Sequence, residues 1–217
     1  MIVAIDGPAG AGKSTVAKIL AKRLGFLYID TGAMYRALTL KALDNNIDIG
    51  DEAKINELAL NTKIDLRSNA DGSLSILLDG KDVSLDIRRP RITRYVSDVS
   101  RIKGVRQVLV KMQRDLGQRG DCVLEGRDIG TVVFPYAERK FFIDASAQVR
   151  VNRRFKELKE SNQNVAEVDV AKDLSNRDKI DSTREVSPLR KAEDAIYIDT
   201  TNLSIEAVVE KMLELCK

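Results

Sequence analysis

The chain has 217 residues, 43% of them hydrophobic and 32% charged, with a formal net charge of +3. That is enough for one α/β domain with insertions; the small basic excess does not argue for nucleic acid but suits an anionic small-molecule substrate. There is no histidine, so a histidine base, a histidine metal ligand and a Ser-His pair are all excluded, and chemistry must rest on phosphate positioning, arginines, lysines, carboxylates and a metal ion.

The chain opens directly into the apolar run Ile2-Val3-Ala4-Ile5, which reads as a buried strand. No basic leader precedes it and no apolar run approaches the roughly 18 residues of a membrane span, so neither a signal peptide nor a membrane partner is expected. Two cysteines, Cys122 and Cys216, are too few for a disulfide framework and point to a reducing cytoplasm. Next comes Gly7-Pro8-Ala9-Gly10-Ala11-Gly12-Lys13-Ser14, followed by Thr15. It matches the phosphate-binding pattern G-x-x-x-x-G-K-[ST], and Val16, Ala17, Ile19, Leu20 and Leu24 continue it as a helix stopped by Gly25. Strand, loop and helix in that order predict a nucleoside triphosphate site: backbone amides around the phosphates, Lys13 on the β- and γ-phosphates, and the Ser14 hydroxyl on Mg²⁺.

Further apolar segments at 26–29, 122–124, 140–143 and 196–198 complete five expected core strands. Helical patterns separate most of them, which predicts an α/β fold: a parallel five-stranded sheet flanked by helices. Polar or Gly-rich sequence follows each strand, so the chemistry is expected beyond the strands' carboxyl ends, on one edge. Residues 62–100 break this rhythm. Ile64-Asp65-Leu66 and Leu74 to Leu78 read as strands of a hairpin turning at 69–72, and Ile92, Tyr95, Val96, Val99 and Ile102 repeat at helical spacing. This predicts a small antiparallel β-plus-helix insert at 62–100 between core segments 1–61 and 101–217. Val105, Val108, Leu109, Met112 and Leu116 mark a returning helix. Residues 150–191 mix acids with Arg150, Arg153, Arg154, Arg177, Arg184 and Arg190; they suit either a solvated helix pair or, over 148–186, a helical lid that brings arginines onto phosphates.

A phosphate loop alone does not name a reaction. The guanine-reading Asn-Lys-x-Asp and the switch Asp-x-x-Gly are absent, and no apolar run ends in the Asp-Glu of a motor ATPase. Phosphoryl transfer to a small acceptor remains. A hydroxyl acceptor needs a carboxylate base, whereas a nucleoside monophosphate, with a second pKa of about 6, is already a dianion near neutrality. Arginines near strand ends and in the 150–191 stretch favour a phosphate acceptor, leaving open another small-acceptor kinase and a non-enzymatic nucleotide switch.

The segments Ile5 to Thr15, Asp30-Thr31-Gly32-Ala33-Met34-Tyr35-Arg36, Glu125-Gly126-Arg127-Asp128-Ile129-Gly130-Thr131-Val132-Val133-Phe134-Pro135 and the tail 199–206 resemble the bacterial cytidylate kinases. The third segment is the most selective, and the likeness runs from residue 2 to about 213. The resemblance implies ATP as phosphate donor, CMP or dCMP as acceptor, Mg²⁺, and direct in-line transfer. It implies that Arg127 and Asp128 read the cytosine, with Ser97 and Arg106 closing the pocket. Thr31 and Arg36 would lie at the acceptor, Arg36 clamping its phosphate with Arg184. Asp181 would take the ribose hydroxyl, and Arg177 would lie across both phosphates; Lys13, Arg177 and Arg184 form the catalytic set. Some relatives carry Lys-Gly where this chain has Lys13-Ser14. A monomer is expected, because lid and insert must both move.

Overall fold

The computed structural model describes residues 1–69, 74–161, 163 and 165–217; most of the expected hairpin tip at 69–72 lies outside them. The chain begins with β1 (Ile2–Asp6), α1 (Lys13–Leu24), β2 (Leu27–Asp30), α2 (Thr31–Asp44) and α3 (Glu52–Leu60). The insert follows, with β3 (Ile64–Ser68), β4 (Leu74–Leu78), β5 (Lys81–Asp82) and α4 (Pro90–Arg101). The chain then returns through α5 (Lys103–Gly117), β6 (Cys122–Gly126), β7 (Arg139–Asp144), α6 (Ala147–Glu160), α7 (Glu167–Thr183), β8 (Ile196–Asp199) and α8 (Ile205–Cys216).

β1, β2, β6, β7 and β8 form a parallel sheet in the order β2-β6-β1-β7-β8. Alternation along the central strand splits the core in two. Val3 and Ile5 face α1 and α8, packing with Leu20, Phe141, Ile143, Ile198 and Met212. Ala4 faces the other layer, with Ile29 and Leu124, Leu38 of α2 and Leu109 of α5. Strands covered on both faces must be apolar throughout, which is why short uninterrupted runs marked them.

In the antiparallel sheet β3-β4-β5, Ile64 pairs with Leu78 and Leu66 with Ile76. These four residues share one buried cluster with Ile87, Ile92, Val99, α2 and the main sheet. The insert therefore has no separate core. The helical repeat expected to run through Ile102 stops at Arg101. Ile102 is extended (φ −68°, ψ 120°) and buried, and α5 starts at the next residue. The short β5, a 3₁₀ turn at Asp86–Arg88 and a π-type turn at Ile129–Val133 were not expected, since none is long enough to show a period.

The phosphate loop leaves β1 at Gly7, whose φ is +147°. A Cβ there would lie 1.9 Å from the Ile143 carbonyl oxygen on β7, so only glycine lets the loop leave the sheet so close to its neighbour. Gly7→Ala should lower the unfolding free energy by about 3–5 kcal/mol in urea titrations; a loss under about 1 kcal/mol would contradict this packing.

Candidate active site

The carboxyl ends of the parallel strands open on a cavity of about 1390 Å³. Ala9 to Thr15 line one wall, while Gly7 and Pro8, expected with them, do not line the cavity. The Lys13 ammonium is buried and donates to the Pro8 carbonyl at 2.6 Å. Burial, reinforced by the charge of Arg127, pushes its pKa down to about 7. Beside it stands Glu125, at the end of β6. Its carboxylate accepts from the Tyr28 hydroxyl at 2.6 Å, with the Ser14 hydroxyl nearby. Burial, with Asp30 nearby, holds the Glu125 pKa above the usual carboxylate range. Ser14 and Thr15 are exposed to the cavity.

The opposite wall is a chain of alternating arginines and carboxylates. Arg106 on α5 donates to Asp128 Oδ2 and, at 3.1 Å, to the Ser100 carbonyl. It also lies over the Tyr35 ring, 5.4 Å from the centroid. Arg184, just past α7, reaches Asp128 Oδ1 at 3.5 Å and Asp181 Oδ1 at 3.7 Å. Arg127 donates to Asp181 Oδ2 at 2.8 Å. Burial opposes the Asp181 charge, but Arg127 and Arg184 outweigh it and hold its pKa below the ordinary range. Arg106, Asp128, Asp181 and Arg184 are all buried, and buried charges persist only when paired.

The remaining expected residues are brought to the same cavity. Arg36 on α2 pairs with Asp30 at 2.9 Å, and Asp30 also caps that helix by accepting from the Ala33 amide. Ser97 on α4 lines the cavity. Thr31 lines it too, but its hydroxyl donates to the Glu125 carbonyl at 2.6 Å. Arg177 on α7 is held loosely: the Asp173 carboxylate is 3.9 Å away, and among the described residues its Nε, like those of Arg36 and Arg106, has no partner. Burial and the neighbouring Arg127 push its pKa down to about 10.

Several participating residues were not among the expected site residues, Arg150 and Arg153 having been named only among the basic side chains of 150–191. Besides Glu125, Asp6 ends β1 fully buried, accepting from the Ile129 and Gly130 amides at 2.8 Å each. Arg153 on α6 donates to the Thr200 hydroxyl and carbonyl, and the Thr200 hydroxyl reaches the Ala11 carbonyl at 3.2 Å. Arg150 and Asp178 pair with each other and bond the Ala9 carbonyl and amide at 3.0 and 3.2 Å. The helix pair α6 and α7 is thus fastened to the phosphate loop. One signal was present: β1, β2, β7 and β8 all end in aspartate, and Glu125 stands next to last in β6.

A Gly-rich loop between β1 and α1, facing an arginine cluster across a cavity at the sheet edge, defines a P-loop phosphotransferase. A family model described as "Cytidylate kinase" matches residues 3–217. A protein of Caldicellulosiruptor saccharolyticus named "Cytidylate kinase" is 54% identical, covering 98% of this chain and 94% of that protein. One of the same name from Bacillus subtilis is 50% identical over 98% of this chain. The chain belongs to the cytidylate kinase family. Among solved structures, an uncharacterized protein from Eubacterium ventriosum shares the fold at 13% identity with a TM-score of 0.50, covering 99% of this chain and 97% of that one. Among the described residues, no helix is long and apolar enough to cross a membrane.

Asp6 gives the site a pH signature. Burial raises its pKa from the ordinary 3.8 to about 6, against the lowering effect of the two amides. The folded state therefore holds a proton that the unfolded chain has released. The stability linked to that proton is complete below about pH 4 and is lost as pH rises through about 6, in all about 3 kcal/mol. Between those limits, wild-type unfolding free energy should fall by that amount relative to Asp6→Asn in urea titrations. Parallel pH profiles would contradict the assignment.

Proposed function

We propose that the protein is a (d)CMP kinase, forming ADP and CDP or dCDP from ATP and CMP or dCMP. The observation that carries this reading is the buried chain Arg106–Asp128–Arg184–Asp181–Arg127 facing the phosphate loop. A carboxylate suits the cytosine amine as acceptor, and an arginine suits the ring's N3 and O2 as donor. Asp128 and Arg127 take those parts, with Ser97 and Arg106 shaping the pocket and Thr31 at its edge. Uracil would set a carbonyl against Asp128, and a buried polar group left facing the wrong partner is what makes such discrimination large.

Asp181 takes the ribose 3′-hydroxyl, which both CMP and dCMP carry. Arg36 and Arg184 clamp the acceptor phosphate. Its oxygen attacks the γ-phosphorus in line while the bond to the β-bridging oxygen breaks. No general base is needed, because the acceptor is already a dianion. Lys13 leaves the Pro8 carbonyl for the donor phosphates, and Arg177 stabilises the equatorial charge that develops between the two substrates.

The divalent ion, Mg²⁺ in this reading, would neutralise charge on the donor phosphates. Among the described residues no cluster of His, Cys, Asp or Glu could hold an ion alone. The neighbouring Ser14 hydroxyl and Glu125 carboxylate suit an ion delivered with the triphosphate, Ser14 as ligand and Glu125 as the anion beside it. The fastening of α6 and α7 to the loop suits a lid over 148–186 that excludes water from the γ-phosphate. The segment 62–100 then serves as the monophosphate-binding insert.

An ADP-release assay across CMP, dCMP, UMP, AMP, dTMP and shikimate tests the reading. Turnover should be fastest with CMP or dCMP; preference for AMP or dTMP would sink the cytosine assignment. Asp128→Ala should lower kcat/KM for CMP by about 10- to 1,000-fold, from about 1.5–4 kcal/mol of lost hydrogen bonding, and hurt UMP far less. Lys13→Met should abolish transfer to every acceptor.

A further inference from the structure

The turn that follows Asp128 is too short to hold itself. In Ile129–Val133 the Val133 amide donates to the Asp128 carbonyl at 3.1 Å and the Phe134 amide to the Ile129 carbonyl at 2.7 Å. Its leading amides and trailing carbonyls have no partners within so short an element. Two charged side chains from distant elements supply them. Asp6 accepts from the Ile129 and Gly130 amides, one carboxylate oxygen to each, at 2.8 Å. Arg114 on α5 donates from Nε to the Val133 carbonyl at 2.9 Å and from Nη2 to the Val132 carbonyl at 2.7 Å. An anion meets the amide end and a cation the carbonyl end, the polarity that the turn's own dipoles favour.

Neither side chain lines the cavity. Asp6 is nevertheless buried as a carboxylate, which weakens the fold above the acid range. It also directly precedes Gly7, so the turn carrying Asp128 is tied to the residue from which the phosphate loop springs.

We propose that Asp6 and Arg114 are positioning residues for cytosine selection: they clamp the turn Ile129–Val133 at its two ends and so set the direction from which Asp128 meets the base. The proposal rests on Asp128 being the base reader. Asn at position 6 would keep the volume but turn an NH₂ toward one of the two amides. Asp128 would keep Arg106 and Arg184 as partners and lose its fixed approach. Discrimination between an amine and a carbonyl on the ring depends on that approach; ATP binding does not.

The test is kcat/KM with CMP and with UMP for the wild type, Asp6→Asn, Arg114→Met and Asp128→Ala, together with KM for ATP. The CMP:UMP ratio should fall about tenfold in Asp6→Asn and about threefold in Arg114→Met, with KM for ATP in Arg114→Met within about twofold of wild type. Arg114 is exposed on α5, so Arg114→Met carries the test if Asp6→Asn does not fold. The proposal is overturned if Asp128→Ala collapses the ratio while both other variants keep it at the wild-type value. If Asp128→Ala slows CMP and UMP equally, the base-reading assignment itself has failed and the positioning role falls with it.

Discussion

Two phosphates repel, and the cations that would hold them together also repel one another when the site is empty. At 4 Å a pair of unit charges interacts by about 4 kcal/mol near a protein surface, at an effective dielectric constant of about 20. The site answers this by giving its arginines carboxylate partners. Arg36 has Asp30, Arg127 has Asp181, Arg106 has Asp128, and Arg184 lies between Asp128 and Asp181. In the proposed reading the carboxylates offset most of the arginine charge at rest, and two of them, Asp128 and Asp181, also receive the amine and hydroxyl of the acceptor nucleoside. Arg177 is held more loosely: among the described residues its ion-pair partner is Asp173, at 3.9 Å. This loosely paired cation is the one assigned to charge that appears only during transfer.

The parallel sheet makes this arrangement possible. Because all five strands run the same way, residues far apart in sequence emerge side by side. Pairing of β1 with β6 places Ile5 opposite Glu125 and Asp6 opposite Gly126. The donor loop and the segment proposed to read the acceptor base therefore leave adjacent strands, joined by the bonds of Asp6 to the turn beyond. On the other side, Arg150, Asp178, Arg153 and Thr200 fasten α6 and the start of β7's exit to the same loop. Movement of the helix pair would be felt by the phosphate cradle through these bonds.

The core strands and the phosphate loop were legible because their causes are local: short apolar runs, glycines at positive φ, and a lysine at fixed spacing. Elements whose cause is tertiary were not. The π-type turn at Ile129–Val133 is bonded at its ends by Asp6 and Arg114, and nothing within Ile-Gly-Thr-Val-Val announces that. The parts played by Asp6 and Glu125 were not legible, since burial and partners across the sheet cannot be seen from spacing. Ile102 kept the helical period yet breaks the helix, because it turns the chain from α4 into α5 while filling the core. The insert was visible as a change of pattern, but the sharing of its apolar face with α2 and the main sheet was not.

The central claim is that the buried arginine–carboxylate chain is a preformed acceptor site whose internal pairs give way to a cytidine monophosphate. A crystal structure with CMP bound tests it most directly. The account predicts the cytosine amine within hydrogen-bond distance of Asp128, the ribose hydroxyl on Asp181, and the phosphate between Arg36 and Arg184. A nucleotide bound elsewhere in the cavity, with Asp128 and Asp181 still engaged only with arginines, would contradict it.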